Sequence, residues 1–209
     1  FGGGDGLFTQ DFAGGNDEAH AVAIDAVGNI VVAGNARNMT GNNGDFDFAV
    51  LRLTPAGALD TTFNNSGAVP GMKVTDFGGA DLARDVAIDG DGKIVLVGKA
   101  LGGSELAIAK YNASGTLNWS WTHALTNATG SLEAVAIQPG GMIVGAGTIS
   151  EVTDEVALVR INGSGVLDLG FGTSGIVRDD LGNGRAARIE DLVLHGNNLV
   201  VAGSEANNG

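Results

Sequence analysis

Asp89 and Asp91 lie two residues apart in the segment DGDGKIVLVG, which is the alternate spacing of oxygen ligands in a calcium-binding loop. Such a loop needs about a dozen residues, further oxygen side chains and a bidentate acid at its end. Here Lys93 and an apolar run follow instead, and the equivalent turns AVGN and PGGM carry no carboxylate. We therefore predict a tight turn that leads into a strand, with calcium binding as the alternative.

Other residues could in principle bind a ligand or take part in catalysis, but the sequence around them lacks the structural features that these functions require. The segment GFGTSG (170–175) matches the dinucleotide-binding pattern, but a strand-like segment follows it, and without a helix N-terminus nothing holds a pyrophosphate. The pair Asp179–Asp180 and the pair Asp45 and Asp47 are interpreted as solvated loop acids. The three histidines fall at unrelated positions of the sequence: His20, His123 and His195. We expect no catalytic residue, no cofactor and no metal site.

Charge and composition exclude several classes of protein. The net charge is −13, from 24 acidic and 11 basic residues, so a nucleic-acid duplex or an anionic membrane would be repelled. The absence of cysteine excludes disulfides, thiolate metal sites and a cysteine nucleophile. No apolar run approaches the ~20 residues of a membrane-spanning helix. With 44% hydrophobic residues, only 5% aromatic residues and 36 glycines, the composition favours many short strands joined by turns.

Three blocks of sequence recur along the chain. The first ends in glycine and occurs four times, as AIDAVGNIVVAG (23–34), AIDGDGKIVLVG (87–98), AIQPGGMIVGAG (136–147) and LVLHGNNLVVAG, which ends at Gly203. The second occurs as FAVLRLTPAGALD (48–60), LAIAKYNASGTLN (106–118) and VALVRINGSGVLD (156–168). The third occurs as GLFTQDF (6–12), GMKVTDF (71–77) and GIVRDDL (175–181), with only THALTNATG in its place in the second repeat.

Each repeat thus contains four strand-like segments, and none shows a helical apolar period. A repeat of about 55 residues with four strands is typical of one propeller blade, whereas a β-solenoid coil is about half as long. We predict an all-β fold, a β-propeller of four-stranded antiparallel blades with about 3.5–4 blades in this chain. The predicted repeats are 1–16 (the end of a preceding blade), 17–80, 81–130, 131–185 and the incomplete 186–209.

The segments DGKIVLVG and LAIAKYNASGTLN, together with ALDTTFNNSG and VLDLGFGTSG, resemble the delta-60 repeat. The resemblance extends over essentially the whole chain, although the second repeat has LNWSW where the others have LDTTF or LDLGF. Delta-60 repeats belong to bacterial, mostly secreted or surface-located proteins predicted to form β-propellers. The resemblance therefore implies the fold and an extracellular or cell-surface location in bacteria, and it implies no catalytic activity.

What recurs in every repeat is expected to serve folding, because each blade solves the same packing problem. These positions are a base in the third strand (Arg52, Lys110 and Arg160), an acid in the fourth (Asp11, Asp76 and Asp180) and an aromatic residue after the second block (Phe63, Trp121 and Phe171). We predict that Arg52 and Arg160 pair with acids of a first or fourth strand, since partly buried charges need partners. What occurs once is the candidate for function, and the predicted ligand contacts are Trp119, His123, Asp45 and Asp47.

The function that we expect is that of a non-enzymatic extracellular or cell-surface scaffold which mediates protein interaction or adhesion. The alternatives are a lectin-like propeller module that binds carbohydrate, and a propeller-fold hydrolase or lyase. The expected partner is another protein or a surface glycan, with no nucleic acid and no insertion into a membrane. Because the last repeat lacks its second block, the remainder of a longer parent chain or a second copy is expected to complete the ring.

Overall fold

The computed structural model describes residues 4–12, 14–37, 44–181 and 186–206. These residues include a 3-10 turn, Leu101–Gly103, and no helix among them is long and apolar enough to span a membrane. The strands are β1 (Asp17–Ile24), β2 (Ile30–Arg37), β3 (Phe46–Leu53), β4 (Met72–Thr75), β5 (Leu82–Ile88), β6 (Ile94–Ala100), β7 (Glu105–Tyr111), β8 (Leu117–Ala124), β9 (Thr129–Ile137), β10 (Ile143–Ser150), β11 (Asp154–Ile161), β12 (Ile176–Asp179), β13 (Ala187–His195) and β14 (Asn198–Glu205).

Each sheet is antiparallel, and strands that follow one another in sequence are neighbours in the sheet. The first, second and third blades are β1–β4, β5–β8 and β9–β12, and β13 and β14 form a half blade. The first strands of successive blades, β1, β5, β9 and β13, contact one another in order and therefore lie closest to the propeller axis. The predicted all-β propeller of four-stranded antiparallel blades is confirmed.

The apolar core lies between successive blades. Phe48 and Val50 of the first blade pack against Leu96 and Tyr111 of the second. Equivalent clusters join the second blade to the third and the third blade to the half blade. A blade in the interior of the ring is thus covered on both faces, which explains why second strands such as IVLVG are continuous aliphatic runs.

Each first strand has a β-bulge at the same place, opposite a glycine of the second strand. These are the glycines that end the first sequence block: Gly34, Gly98, Gly147 and Gly203. A Cβ at Gly98 would overlap the carbonyl oxygen of Leu82, and the other three glycines face the equivalent carbonyl in their own blades. None of the four has a positive φ, so the close approach of the bulged strand explains why this position is glycine.

The segment 6–12 is not a strand, in contrast to the prediction that it is the fourth strand of a preceding blade. A fourth strand pairs with the third strand of its own blade through backbone hydrogen bonds. Here Phe8 and Phe12 instead pack against apolar residues of β3 and β4, so the segment lies against the first blade.

The predicted equivalence of Trp121 with Phe63 and Phe171 is wrong. Phe63 and Phe171 lie in the long connections between the third and fourth strands of the first and third blades. The second blade joins β7 to β8 by a short turn, and Trp121 lies within β8, opposite Ile108. The three aromatic residues have the same spacing in sequence, but the shorter connection places that of the second blade in a strand.

Candidate functional site

The two ends of the propeller differ in how strictly they repeat. At one end, which we call the hairpin end, the turns between first and second strands close with the same backbone hydrogen bonds at 25–29, 89–93 and 138–142. At the other, which we call the loop end, the connections between second and third strands differ from blade to blade. The second blade has the 3-10 turn Leu101–Gly103 there, and the third blade has the short loop 151–153. Blade-specific sequence therefore gathers at the loop end.

The bulged residues of the first strands lie toward the loop end, and the four positions carry three different residue types. They are His20, Arg84, Glu133 and Glu190. A bulge adds one residue to a strand and re-aims its side chain, and bulges are common next to binding and active sites. The backbone feature is thus repeated while the chemistry that it presents is not.

A groove of about 640 Å³ opens at the loop end, lined by the second, third and half blades. Three bases and two acids line it: Arg84, Lys99, Arg188, Glu133 and Glu190. Hydroxyl groups complete much of its wall: Thr129, Ser131, Thr148 and Ser150. The volume and the convergence of polar groups are in the range of small-ligand sites.

The polar groups of the groove differ in whether they have a hydrogen-bond partner within the protein. Arg188 donates a hydrogen bond to Asp154, with 2.6 Å between Nε and Oδ2. Arg84 Nε lies 3.7 Å from Glu133 Oε2, which is an ion pair beyond hydrogen-bond distance. Arg84 Nε and Thr148 Oγ1 are both buried with no hydrogen-bond partner among the described residues. The Arg84 side chain as a whole is 29% exposed, so its guanidinium can be approached from the groove although its Nε is buried.

Three carboxylates meet between the first and second blades, also at the loop end: Asp47, Asp76 and Asp81. Asp81 is fully buried and accepts hydrogen bonds from the amides of Phe77 (2.6 Å) and Leu101 (3.0 Å). Burial, together with the carboxylates of Asp76 and Asp45, raises the pKa of Asp81 to about 6. Because both oxygens of Asp81 already accept hydrogen bonds from backbone amides, we interpret this cluster as a structural contact between the two blades.

The structure does not bring together the four predicted ligand contacts: Trp119, His123, Asp45 and Asp47. Trp119 lies at the hairpin end, and its indole donates a hydrogen bond to the carbonyl of Gly163 in the third blade (3.0 Å). His123 lies on the outer strand β8, where it stacks on Trp121 with the ring centroids 5.8 Å apart. The two acids lie at the loop end of the first blade, and Asp47 is buried.

The bases of the third strands pair with acids, but these acids do not belong to a first or fourth strand. Arg52 Nε lies 2.7 Å from Asp60 Oδ2, and Arg160 Nη2 lies 2.7 Å from Asp168 Oδ2. Arg52 also lies over the ring of Phe63, 4.9 Å from its centroid, and the third blade repeats this arrangement. The predicted partners are wrong because the chain folds back beside the third strand, where the amide of Asp60 bonds the carbonyl of Arg52.

In the second blade, the base of the third strand is Lys110, and its acidic partner lies in a different turn. Its second block ends in Asn118 where the other blades have aspartate, and Lys110 Nζ instead lies 3.1 Å from Asp89 Oδ2. Asp89 Oδ1 accepts the amides of Asp91 (3.0 Å) and Lys93 (2.9 Å). The predicted turn is confirmed, and its first aspartate has a second role as the partner of a buried lysine.

The recurring acids predicted in the fourth strands lie just outside them. Asp76 follows the end of β4, and its Oδ1 accepts the amide of Gly78 (2.6 Å). Asp11 lies in the segment 6–12, which is not a strand, and Asp180 follows the end of β12. Asp76 and Asp180 belong to the connections that follow the first and third blades, whereas Asp11 belongs to the segment that packs against the first blade.

Sequence reasoning missed the residues of the groove. One signal of the bulges was present, because the adjacent polar residues Arg84 and Asp85 interrupt the alternation expected of a strand, as do Glu190 and Asp191. Lys99 carries no such signal, since only the packing of one blade beside the next places it near the bulges.

Comparison with known families supports the same fold. The sequence model of a β-propeller domain of unknown function (DUF5122) matches residues 28–63 and 90–118. The matched residues are less than half of the chain. In each of the first two blades they include part of the hairpin turn, the second strand and the third strand. The bulged residues all lie outside the match. No curated protein matches the chain.

Proposed function

We propose that this chain is a non-enzymatic β-propeller scaffold of a bacterial extracellular or cell-surface protein, and that its loop end binds a partner protein or a surface glycan. The observation that carries the proposal is the repeated bulge, which presents histidine in the first blade, arginine in the second, and glutamate in the third blade and the half blade. A position with a constant backbone and a variable side chain suits recognition better than it suits folding. The resemblance to the delta-60 repeat supports the location.

The distribution of titratable side chains favours binding over catalysis. Acid–base or nucleophilic catalysis needs its groups within hydrogen-bond reach of one another or of one substrate position. In the described part of the chain, His20 contacts the buried Asn35 (2.7 Å), His123 lies on an outer strand and His195 ends β13 near the hairpin end. A hydrolase or lyase is therefore the less favoured function.

Adhesion of coated beads tests the proposal. Beads that carry the chain should attach to at least one surface in a panel of bacterial and epithelial cells, counted by flow cytometry. For a variant in which the four bulged residues are replaced by serine, the number of attached beads should fall at least about fivefold, because charged and polar contacts at an interface set its specificity. The four positions are His20, Arg84, Glu133 and Glu190.

A matched control changes charges at the hairpin end, with Asp91→Ser and Lys93→Ser, and should attach like the unchanged chain. Attachment to no surface, or equal loss in the control and the bulge variant, would contradict the proposal. Circular dichroism of both variants establishes that they are folded before attachment is compared.

A lectin-like module is the second candidate, and the groove favours it. Its hydroxyls, carboxylates and bases are the group types that hydrogen-bond to sugars, and its volume of about 640 Å³ suits a small ligand. A glycan array separates the two candidates, since a scaffold for proteins should bind no glycan on it.

A further inference from the structure

The groove has more free hydrogen-bond donors than its own acids satisfy. Arg84 has an ion pair with Glu133 at 3.7 Å but no hydrogen bond to it, and the ammonium of Lys99 has no hydrogen bond or ion pair to any described residue. Arg188, by contrast, is already held by Asp154. A guanidinium and an ammonium that converge on one groove from β5 and β6 are suited to a carboxylate, which accepts bonds from both.

The remaining wall of the groove suits the hydroxyls of a ligand. Glu133 and Glu190 offer carboxylate acceptors, and Thr129 and Ser131 also line the groove with hydroxyl-bearing side chains. The glycines at the rim, Gly102, Gly103 and Gly130, let a ligand approach the backbone. A ligand for this groove therefore combines one carboxylate with several hydroxyls.

We propose that the loop-end groove binds a carboxylated sugar, with the carboxylate of a hexuronic acid between Arg84 and Lys99 and its hydroxyls on Glu133 and Glu190. This inference rests on the lectin-like form of the proposed function and specifies its ligand class. The acidic net charge of −13 gives specificity to the contact, because a carboxylate is repelled over most of the surface and attracted only where bases are exposed without partners.

Isothermal calorimetry with D-galacturonate tests the inference, with D-galactose as the neutral sugar of matched shape. Galacturonate should bind with a dissociation constant on the order of 1 mM, as for a single sugar with few contacts. Galactose should bind at least about tenfold more weakly, because it leaves the bases unpaired. Raising the salt concentration should weaken the binding of galacturonate and leave that of galactose unchanged.

Lys99→Gln and Arg84→Gln should each weaken galacturonate binding about tenfold or more while leaving galactose binding unchanged. Lys93→Gln, which removes a lysine charge at the hairpin end, is the matched control and should bind like the unchanged chain. If Arg84→Gln fails to fold, Lys99→Gln carries the test alone, since Lys99 has no partner whose loss would destabilise the blade.

Three outcomes would overturn the inference: no heat with galacturonate, equal affinity for galactose, or an equal loss in the Lys93 variant. The bead experiment distinguishes this failure from that of the proposed function. If beads attach through the loop end and galacturonate does not bind, the carboxylated-sugar inference is wrong while the scaffold function stands.

Discussion

At the residue scale, the bases of the third strands differ from two bases of the groove. Arg52, Lys110 and Arg160 are each held by an aspartate within their own blade, and they serve the fold. Arg84 and Lys99 lie at the loop end without a close acceptor. The same residue types are thus structural where a loop supplies a counter-charge and available to a ligand where no loop does.

Asp89→Asn should lower the free energy of unfolding by about 2–4 kcal/mol, because it leaves the buried ammonium of Lys110 without a counter-charge. Asp91→Asn breaks only an exposed pair with Lys93 and should change that free energy by less than about 0.5 kcal/mol. Urea denaturation of the two variants measures the difference. Equal effects would show that the ion pair of Lys110 does not stabilise the blade.

The stability of the chain should fall as the pH rises from about 4 to about 6, and it should level off at higher pH. The folded-state pKa of Asp81, about 6, is higher than the value near 3.9 of an unfolded chain. Its stabilisation is therefore complete below the unfolded pKa and is lost as the pH rises through the folded pKa. At about 1.4 kcal/mol per pKa unit, the loss is at most a few kcal/mol.

Urea denaturation at several pH values checks this prediction with Asp81→Asn, which should have a flatter pH profile. Part of the slope should persist, because burial also raises the pKa of Asp85, which acts in the same direction. The variant Asp91→Asn is the control and should keep the full slope. An unchanged slope in Asp81→Asn would refute the assignment to Asp81.

At the element scale, the bulge and its glycine form one unit in every blade. The bulge turns the first strand so that a carbonyl comes against the Cα of the glycine, which leaves no room for a side chain. This unit also re-aims the residue that faces the loop end. The element that sets the close approach of the first and second strands of a blade is therefore the same element that presents the candidate binding residues.

Gly98→Ala should lower the free energy of unfolding by about 2–4 kcal/mol, because an added Cβ overlaps the carbonyl oxygen of Leu82 and forces the strands apart. Gly90→Ala is the matched control in the neighbouring turn, where an added Cβ meets nothing within 4 Å. That change should be neutral or stabilise by up to about 1 kcal/mol. Thermal denaturation of both variants checks the pair, and a similar loss in both would contradict the role of the bulge.

At the scale of the whole molecule, two apolar blade faces have no blade against them among the described residues, although Phe8 and Phe12 cover part of the first-blade face. Val22 of the first blade is 64% exposed, while the equivalent Val86, Val135 and Leu192 are 7%, 7% and 5% exposed. On the half blade, Val200 is 48% exposed, although its equivalents in the other blades are buried. These two faces are the two sides of the contact that occurs three times within the chain.

The 209-residue chain by itself should therefore self-associate head to tail, with the first-blade face of one copy against the half blade of another. Val22→Lys and Val200→Lys should each be monomeric alone, because a lysine disrupts one side of the contact. An equimolar mixture of the two variants should form a 1:1 dimer, since one intact face of each kind is left. Analytical ultracentrifugation measures these masses, and a mixture that stays monomeric would contradict the prediction.

The sequence by itself determined the repeat, the strands and the class of fold. Blocks ending in glycine, hairpin turns such as 89–93 and the alternation in β3 are local patterns, and turn chemistry and side-chain period act over a few residues. It also indicated that Arg52 and Arg160 need acidic partners, because a partly buried charge has that requirement wherever it lies.

Only the tertiary structure decided which groups meet. Lys110 pairs with Asp89 because the connection after β7 is short, and Asn118 of β8 stands where the other blades have an aspartate. Arg84 and Lys99 meet Glu133 in one groove because successive blades pack side by side at the bulge. Such contacts join residues far apart in sequence through the packing of whole sheets, and no local pattern encodes the distance between two blades.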